Sequence, residues 1–227
     1  MQVKSPVQCE GNSTSGRFAA GEDPAKREQI LDGAKRVFMK LGFDAASMND
    51  ITREAGVSKG TIYVYFNGKD DLFSAIMERE RQRLAHSMED ILAGREDVRD
   101  GLYRYGMGFI ERITSESSIS ALRTMIAVVP RMPNLSRNFF QNDSFNVRTV
   151  LERFIERQVE RGALSVADVT LAARQFIELS GGSFFKLRLF GDLADPPSQE
   201  EMHNSVTAAV HVFMCAYGAN KKEGMPE

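Results

Sequence analysis

A short stretch in the first third of the chain carries the side chains best suited to contact a phosphate backbone. Lys59 and Lys69 supply ammonium groups, while Tyr63 and Tyr65 supply phenols that can donate hydrogen bonds to phosphate oxygens. Small residues beside them allow a close backbone approach, and Val64 could touch a thymine methyl group. The candidate DNA-contacting residues are Ser47, Lys59, Gly60, Thr61, Tyr63, Val64, Tyr65 and Lys69.

Two predicted helices and a glycine turn position these side chains. Ser47 and Asp50 have the spacing of a capping box, with Asp in place of the usual Glu or Gln, and they predict the start of a short helix. Gly56 can adopt the positive φ of a sharp turn, and Ser58 is a favourable N-cap for a second helix over about 59–66. This order predicts a helix-turn-helix whose second helix enters the major groove of DNA.

The spacing alone leaves a second interpretation open, because the same order of caps, turn and apolar residues occurs in helical hairpins that never meet DNA. The whole chain of 227 residues has a net charge of −2, which argues against a general polyanion binder. Residues 24–70 nevertheless hold eight basic and six acidic side chains, a local charge of +2. Any contact with DNA must therefore be confined to one small face.

The rest of the chain has helical patterning and no β alternation, so the predicted fold class is all-α. We expect a disordered extension over 1–22, a three-helix head over 23–70, a helical bundle over 71–218 and a disordered tail over 219–227. Further helices are expected at about 24–41, 69–92, 118–129, from Pro133 to Arg161, 166–190 and 199–217, and one more after Gly94 that carries Leu102, Tyr105, Phe109, Ile110 and Ile113.

The sequence offers few candidates for catalysis. His86, His203 and His211 are the only histidines, and we expect none of them to share a metal ion with a cysteine or a second histidine. Cys9 and Cys215 are too few for a disulfide framework, which favours a reducing cytoplasm. No run approaches the ~18 apolar residues of a membrane span. We therefore expect a soluble protein with no metal, no cofactor and no membrane partner.

Residues 25–73 resemble the N-terminal domain of the TetR family of bacterial transcription regulators. The positions that carry the resemblance are Ile30, Ala34, Phe38, Gly42, Phe43, Ser47, Ile51, Ala55, Gly56, Val57, Ser58, Lys59, Gly60, Thr61, Ile62, Tyr63, Tyr65, Phe66, Lys69 and Leu72. The resemblance implies a dimeric regulator that binds double-stranded operator DNA through this domain. Met48 stands where many members have Thr, and Val64 stands where a polar residue is common, which leaves the operator sequence open.

The C-terminal half is similar to the effector domain of the AefR-like subgroup of that family. The resemblance rests on Pro133, Phe139, Phe140, Val150, Leu151, Gln158, Gly162, Leu164, Ala172, Ala173, Arg174, Gln175, Phe176 and Leu187. Adaptable apolar side chains of this half could line a ligand cavity, although each could equally be ordinary core. The candidate ligand-binding residues are Tyr103, Met107, Phe109, Ile110, Met125, Ile126, Phe176 and Phe184.

The last two predicted helices are the candidate dimer interface, because they carry more apolar side chains than one small domain needs to cover. Gly181 and Gly182 would allow close helix approach, and pairing across a two-fold axis would make a four-helix interface. The candidate interface residues are Leu179, Leu187, Val206, Val210, Phe213 and Tyr217.

Sequence and resemblance together predict a homodimeric, ligand-responsive transcription regulator of the bacterial cytoplasm, associated with the nucleoid when bound to DNA. It is expected to act as a repressor that a small apolar molecule releases from its operator. Two alternatives stay open: a helical enzyme or small-molecule carrier whose helix-turn-helix only packs, and an architectural DNA binder without a ligand.

Overall fold

The computed structural model describes residues 19, 21–132 and 145–219, and this part of the chain is built of helices. The helices of these ranges are α1 (Pro24–Ala45), α2 (Met48–Ala55), α3 (Lys59–Tyr65), α4 (Lys69–Leu92), α5 (Val98–Ile113), α6 (Glu116–Val128), α7 (Val147–Glu160), α8 (Val169–Phe190) and α9 (Gln199–Tyr217). An isolated β-bridge joins Leu164 to Gly218. The all-α prediction is confirmed. The ends expected to be disordered lie almost entirely outside the described residues, as does the first part of the helix expected from Pro133 to Arg161. The described remainder of that prediction holds α7, which begins only at Val147 because Asn146 caps it.

Short polar side chains begin nearly every helix by accepting hydrogen bonds from backbone N–H groups that have no partner within the helix. These N-caps are Asp23, Ser47, Ser58, Asp97, Ser115, Asn146, Asp168 and Ser198. They also explain the errors in the predicted bounds. Helix α6 begins at Glu116 because Ser115 caps it, and α8 begins at Val169 because Asp168 caps it. Helix α1 kinks at Gly42, where it was expected to stop, and continues to Ala45.

The head, formed by α1 to α3 and the start of α4, has its own apolar core. Phe38, Phe43 and Phe73 meet at its centre with ring centroids 5.1–5.6 Å apart, within the usual range for aromatic pairs. Met125 and Val128, from the end of α6, are buried in the same core. Helix α6 is therefore anchored in the head, although it belongs by sequence to the bundle.

A second core lies between α4, α5, α7, α8 and α9. Tyr105, Phe154, Phe176 and Phe213 are its largest fully buried side chains. The Tyr105 hydroxyl donates to the Val147 carbonyl oxygen at 2.8 Å, and burial raises the pKa of this phenol.

Among the helices of the described ranges, none is long and apolar enough to cross a membrane.

Helix α4 connects the two cores without interruption. Its first turns place Leu72, Phe73 and Ile76 in the head, and its last turns place Met88 and Leu92 in the bundle. The head core thus continues past the boundary expected at residue 70. A displacement of α4 would change the packing of both cores, because close-packed interiors transmit strain.

Candidate nucleic-acid interface and effector region

The capping box predicted at the start of α2 is present. Ser47 Oγ accepts the Asp50 N–H at 3.2 Å, and Asp50 Oδ2 accepts the Ser47 N–H at 3.2 Å. The Ser47 hydroxyl also donates to Asp50 Oδ2 at 2.5 Å, and this hydrogen bond holds the pKa of Asp50 below its ordinary value. A phosphate contact from Ser47 would therefore have to replace a hydrogen bond that the protein already makes.

The turn between α2 and α3 is held by backbone geometry and by α1. Gly56 has φ 64° and ψ 37°, the left-handed conformation that favours glycine, and its N–H bonds back to the end of α2. Gln29 Nε2 donates to the Ala55 carbonyl oxygen at 2.7 Å, which ties α1 to the end of α2. The angle between α2 and α3 is therefore fixed from two sides.

Helix α3 presents one face to the head and another to solvent. Ile62 is fully buried, and Phe66, just after the helix, is 3% exposed. Tyr63 and Val64 point outward, with 46% and 53% of their surface exposed. Tyr65 is only partly exposed and packs against the head core. Tyr63 and Val64 are thus better placed to reach DNA than Tyr65 is.

The first turn of α3 is open at two of the three residues proposed to approach a phosphate. Lys59 and Gly60 are exposed, and a Cβ added at Gly60 would meet only Ser58 Oγ, at 3.8 Å. Thr61 is partly buried, and its hydroxyl lies 2.8 Å from the Ser58 hydroxyl. Thr61 therefore supports the Ser58 N-cap at the start of α3.

Lys69 has a structural role that the sequence did not predict. Its ammonium donates to the carbonyl oxygens of Asp44 and Ala46, at 3.2 Å and 3.1 Å, and lies 4.5 Å from the centroid of the Phe43 ring. These contacts tie the start of α4 to the end of α1, where the carbonyl groups lack helical partners. A phosphate contact from Lys69 would therefore have to be made beside two hydrogen bonds that its ammonium already donates.

Two further contacts of the head were not expected from the sequence. A Cβ added at Gly21 would lie 3.2 Å from Val64 Cγ1, so the segment that precedes α1 runs beside the exposed side of α3. The Arg27 guanidinium lies 5.3 Å from the centroid of the Phe66 ring. Only the basic character of Arg27 could have been noticed in the sequence, because a contact of Gly21 with α3 has no sequence signal.

The residues proposed to line a ligand cavity instead fill the interior or lie on the surface. Phe109, Ile110 and Phe176 are buried in the bundle core, where Met107 and Phe184 pack partly buried against them. Tyr103 hydrogen-bonds His203 at 2.8 Å on the outside of the bundle. Met125 belongs to the head core, and Ile126 is 53% exposed. None of the eight residues borders the clefts described next, so a ligand site lined by them stays a prediction.

A cleft of about 560 Å³ lies where α4, the end of α5 and α6 meet. Met77, Leu84, Ile113 and Leu122 give it apolar walls, and Arg112 with other charged and serine side chains borders it. A small cleft of about 80 Å³ adjoins it between α1, α4 and α6, and a third lies at the far end of α4. The volume of the first falls within the range of small-molecule sites.

Half of the proposed interface residues are interior to the subunit. Val206, Val210 and Phe213 are buried in the bundle core, so they cannot face a second copy. Tyr217 is partly buried and donates its hydroxyl to Gln175 Oε1 at 2.5 Å. The close approach allowed by Gly181 is also internal, because a Cβ there would lie 2.9 Å from Ile110.

An exposed apolar face does exist on the last two helices, and it includes Leu179 and Leu187 of the six proposed residues. Leu179 and Leu187 are exposed on α8, and Phe190 at its end is 85% exposed. These three side chains lie within about 80° of one another around the helix axis. Val212 is exposed on the neighbouring α9.

Within the described ranges, no group of three or more His, Cys, Asp or Glu side chains could hold a metal ion.

A capped, exposed helix after a tight glycine turn, supported by α1 and α4, defines a helix-turn-helix DNA-binding protein. The chain belongs to the TetR family. The sequence model of the bacterial regulatory proteins of the tetR family matches residues 30–76, and that of the AefR-like transcriptional repressor C-terminal domain matches residues 100–219. The protein is thus a DNA-binding transcription regulator, and its family is one of regulators rather than enzymes.

Individual relatives agree with this assignment. The nicotine-responsive transcriptional repressor HdnoR of Paenarthrobacter nicotinovorans is 27% identical over 81% of this chain and 93% of its own length. A crystal structure of a TetR-family chain from Mesorhizobium loti MAFF303099 superimposes with a TM-score of 0.79 at 24% identity, covering 86% of this chain and 97% of that one. The flavonoid-responsive regulator FrrA gives 0.70 at 23% identity, covering 86% and 98%. At these sequence identities, the similarity to the two structures is evidence for the fold alone.

Proposed function

We propose that the protein is a homodimeric repressor whose two α3 helices bind one operator. The observation that carries the proposal is the exposed pair Tyr63 and Val64 on a helix that Ile62 and Phe66 anchor from behind. Tyr63 can donate to a phosphate, and Val64 can contact a thymine methyl in the major groove. Lys59 adds a cation at the helix start. Operator binding would place the protein on the bacterial nucleoid.

Dimerisation is proposed through the exposed face of α8 and α9. A single reading helix contacts too few base pairs to select one site in a genome, and two-fold symmetry doubles that number. The proposed face combines Leu179, Leu187 and Phe190 of α8 with Val212 of α9. The interface therefore keeps the two predicted helices but uses the sides that do not enter the subunit core.

The proposed effector site is the 560 Å³ cleft between α4, α5 and α6. Its mixture of apolar walls and charged edges suits a small apolar molecule with a polar group. HdnoR is described as nicotine-responsive and FrrA as flavonoid-responsive. Those responses belong to those proteins, and they are in keeping with a small organic effector here.

Helix α6 is proposed to carry the signal from that cleft to the head. At its start, Glu116 accepts a hydrogen bond at 2.9 Å from Arg188, a buried residue of α8. Arg123, in the middle of α6, donates to the Arg188 carbonyl oxygen at 2.8 Å. Just beyond its end, Arg131 binds both carboxylate oxygens of Asp44. A ligand that favours another position of α6 would thus shift the equilibrium between two separations of the heads, by a free energy that its differential affinity for the two states sets.

The DNA-binding proposal can be tested with two substitutions that add the same charge at different places. Val64→Asp puts a carboxylate on the exposed face of α3, where it would repel phosphate. Met39→Asp adds it beside the small cleft between α1, α4 and α6. In a gel-shift with the upstream DNA of its own gene, we expect Val64→Asp to lose specific binding and Met39→Asp to retain it. Equal binding by both variants, with native circular dichroism, would refute the assignment of α3.

The effector proposal can be tested with matched substitutions on α6. Ala121 borders the 560 Å³ cleft, whereas Ala127 is exposed on the same helix and borders none of the three clefts. Ala121→Met should fill part of the cleft and weaken binding of the fluorescent probe 1-anilinonaphthalene-8-sulfonate several-fold, while Ala127→Met should not. Unchanged probe affinity in both variants would show that the effector site is not this cleft, and would favour either a site elsewhere or a regulator without a ligand.

A further inference from the structure

The far end of α4 forms, with α7, a cleft of about 320 Å³ whose walls are rich in arginine. The last turn of α4 and the loop after it supply one side, and one face of α7 supplies the other. The charged side chains around it are Arg95, Arg153, Arg157, Arg161, Glu89 and Glu96. With four cations against two anions, the lining has a charge of +2 in a chain whose overall charge is −2.

The arginines of α7 lie on one side of the helix. Arg153, Arg157 and Arg161 follow one another at intervals of four residues, which places neighbouring side chains one turn apart. Like charges at this spacing repel one another. Cations at the end of a helix do complement its dipole, which accounts for Arg157 and Arg161. That effect does not explain why Arg153, further back in the helix, borders the same space.

The carboxylates nearby neutralise this cluster incompletely. Arg161 pairs with Glu96 at 2.9 Å, whereas Arg153 and Glu89 are 3.7 Å apart. Arg95 pairs with Asp100 at 3.1 Å and donates to the Ile91 carbonyl oxygen at 3.0 Å. Arg157 has no carboxylate partner among the described residues, and its guanidinium lies 5.8 Å from the centroid of the Phe154 ring. A planar guanidinium offers five N–H donors in a geometry that matches carboxylate and phosphate oxygens. Arg157 therefore has unused donors that border the cleft.

The position of the cleft separates it from operator DNA. Lys69 and Leu92 stand at opposite ends of α4, a distance of about 35 Å at the rise of an α-helix. The cleft borders Leu92, and the head lies at the other end. Operator phosphates bound by α3 would therefore not reach this cluster. The cleft also shares no lining residue with the 560 Å³ cleft of the proposed effector site.

We propose that this arginine cleft binds a small organic or inorganic polyanion that carries at least two carboxylate or phosphate groups. One group would occupy the donors of Arg157, and a second would lie beside Arg153, one helical turn away. The volume admits a molecule of tricarboxylate size and excludes a folded macromolecule. The site is additional to the DNA interface and to the apolar effector site, and it does not depend on either.

Isothermal titration calorimetry on the full chain without DNA tests the site. Tricarballylate probes carboxylate recognition and inorganic pyrophosphate probes phosphate recognition, each against a sodium chloride blank of equal ionic strength. We expect saturable binding of at least one probe, and the probe that binds identifies the class of anion. Arg157→Gln should weaken it at least tenfold. Arg36→Gln removes the same charge from an exposed site in the head and should leave the affinity unchanged.

A second variant keeps the test informative if Arg157→Gln disturbs folding, which melting curves would reveal. Arg153→Gln is expected to weaken the same probe, because its side chain is exposed and borders the cleft from the preceding turn. The proposal is overturned if neither probe gives saturable heat. It is also overturned if folded variants at 153 or 157 bind like wild type, or if Arg36→Gln weakens binding equally.

Discussion

The close contact of α1 with α2 at Gly33 provides a quantitative test of how the head is built. A Cβ added at Gly33 would lie 2.6 Å from the Cβ, 2.7 Å from the Cα and 2.8 Å from the backbone N of Ala55. Carbon atoms pack at about 3.5–4.0 Å. Gly33→Ala therefore requires α1 and α2 to separate by about 1 Å, and backbone atoms cannot move aside as a flexible side chain can.

The expected size of the effect follows from two opposing terms. Overpacking a core costs about 1–3 kcal/mol. Replacing glycine by alanine within a helix stabilises the folded state by about 0.5–1 kcal/mol. The two terms leave a net loss of about 0–2.5 kcal/mol in the free energy of unfolding. Their mid-range values give about 1.3 kcal/mol, which corresponds to a fall of roughly 3–5 °C in melting temperature for a chain of this size. DNA affinity should fall as well, since Ala55 immediately precedes the turn that positions α3.

Gly60→Ala is the matched control for this prediction. The added methyl group meets only Ser58 Oγ, at 3.8 Å, so the helix gains stability without a clash. Its melting temperature should equal or exceed that of wild type, while a phosphate that approaches this exposed backbone would be hindered. The assay is thermal unfolding followed by circular dichroism at one protein concentration. A Gly33→Ala protein as stable as wild type would refute the argument about α1 and α2.

Three further predictions concern other parts of the molecule. Lys69→Met should lower the melting temperature of the head, because its ammonium holds two carbonyl groups of the α1 end; an unchanged melt would instead leave the ammonium available to DNA. The hydrogen bond from Arg131 holds the pKa of Asp44 below its ordinary value, so this pair stabilises the fold above about pH 4 and loses its effect as the pH falls through the lowered pKa. The difference in melting temperature between wild type and Asp44→Asn should therefore vanish in acid, and a difference that persists there would contradict the pairing. Phe190→Glu should shift the protein toward a monomer in light scattering, whereas Ala127→Glu adds the same charge at an exposed position of α6 and should leave the dimer intact; dimers of equal stability in both variants would exclude the α8 face.

The head could be predicted closely from the sequence because its determinants are local. The Ser47 and Asp50 capping box, the left-handed Gly56 and the Ser58 cap each act within four residues. The order of such signals therefore fixes both the helices and the turn. Val64 could be expected to be exposed because Ile62 is buried, and residues two positions apart point to nearly opposite sides of a helix.

The bundle was harder to predict because apolar residues alone do not reveal which neighbour they meet. Phe176 and Phe213 suit a cavity or an interface equally well in sequence, but their rings lie 5.6 Å apart inside the subunit. The buried Arg188 and the anchoring of Met125 in the head depend on contacts between residues far apart in the chain. Such contacts leave no local pattern.

Footprinting on the DNA upstream of its own gene will show whether Tyr63 and Val64 on α3 select an operator for a two-fold symmetric dimer. We expect a protected region with two related half-sites about one helical turn apart, ~34–36 Å, that survives an excess of unrelated DNA. We also expect Val64→Asp to abolish this protection and Met39→Asp to preserve it. Protection that is lost to unrelated DNA, or that Val64→Asp leaves intact, would show that α3 does not select the operator.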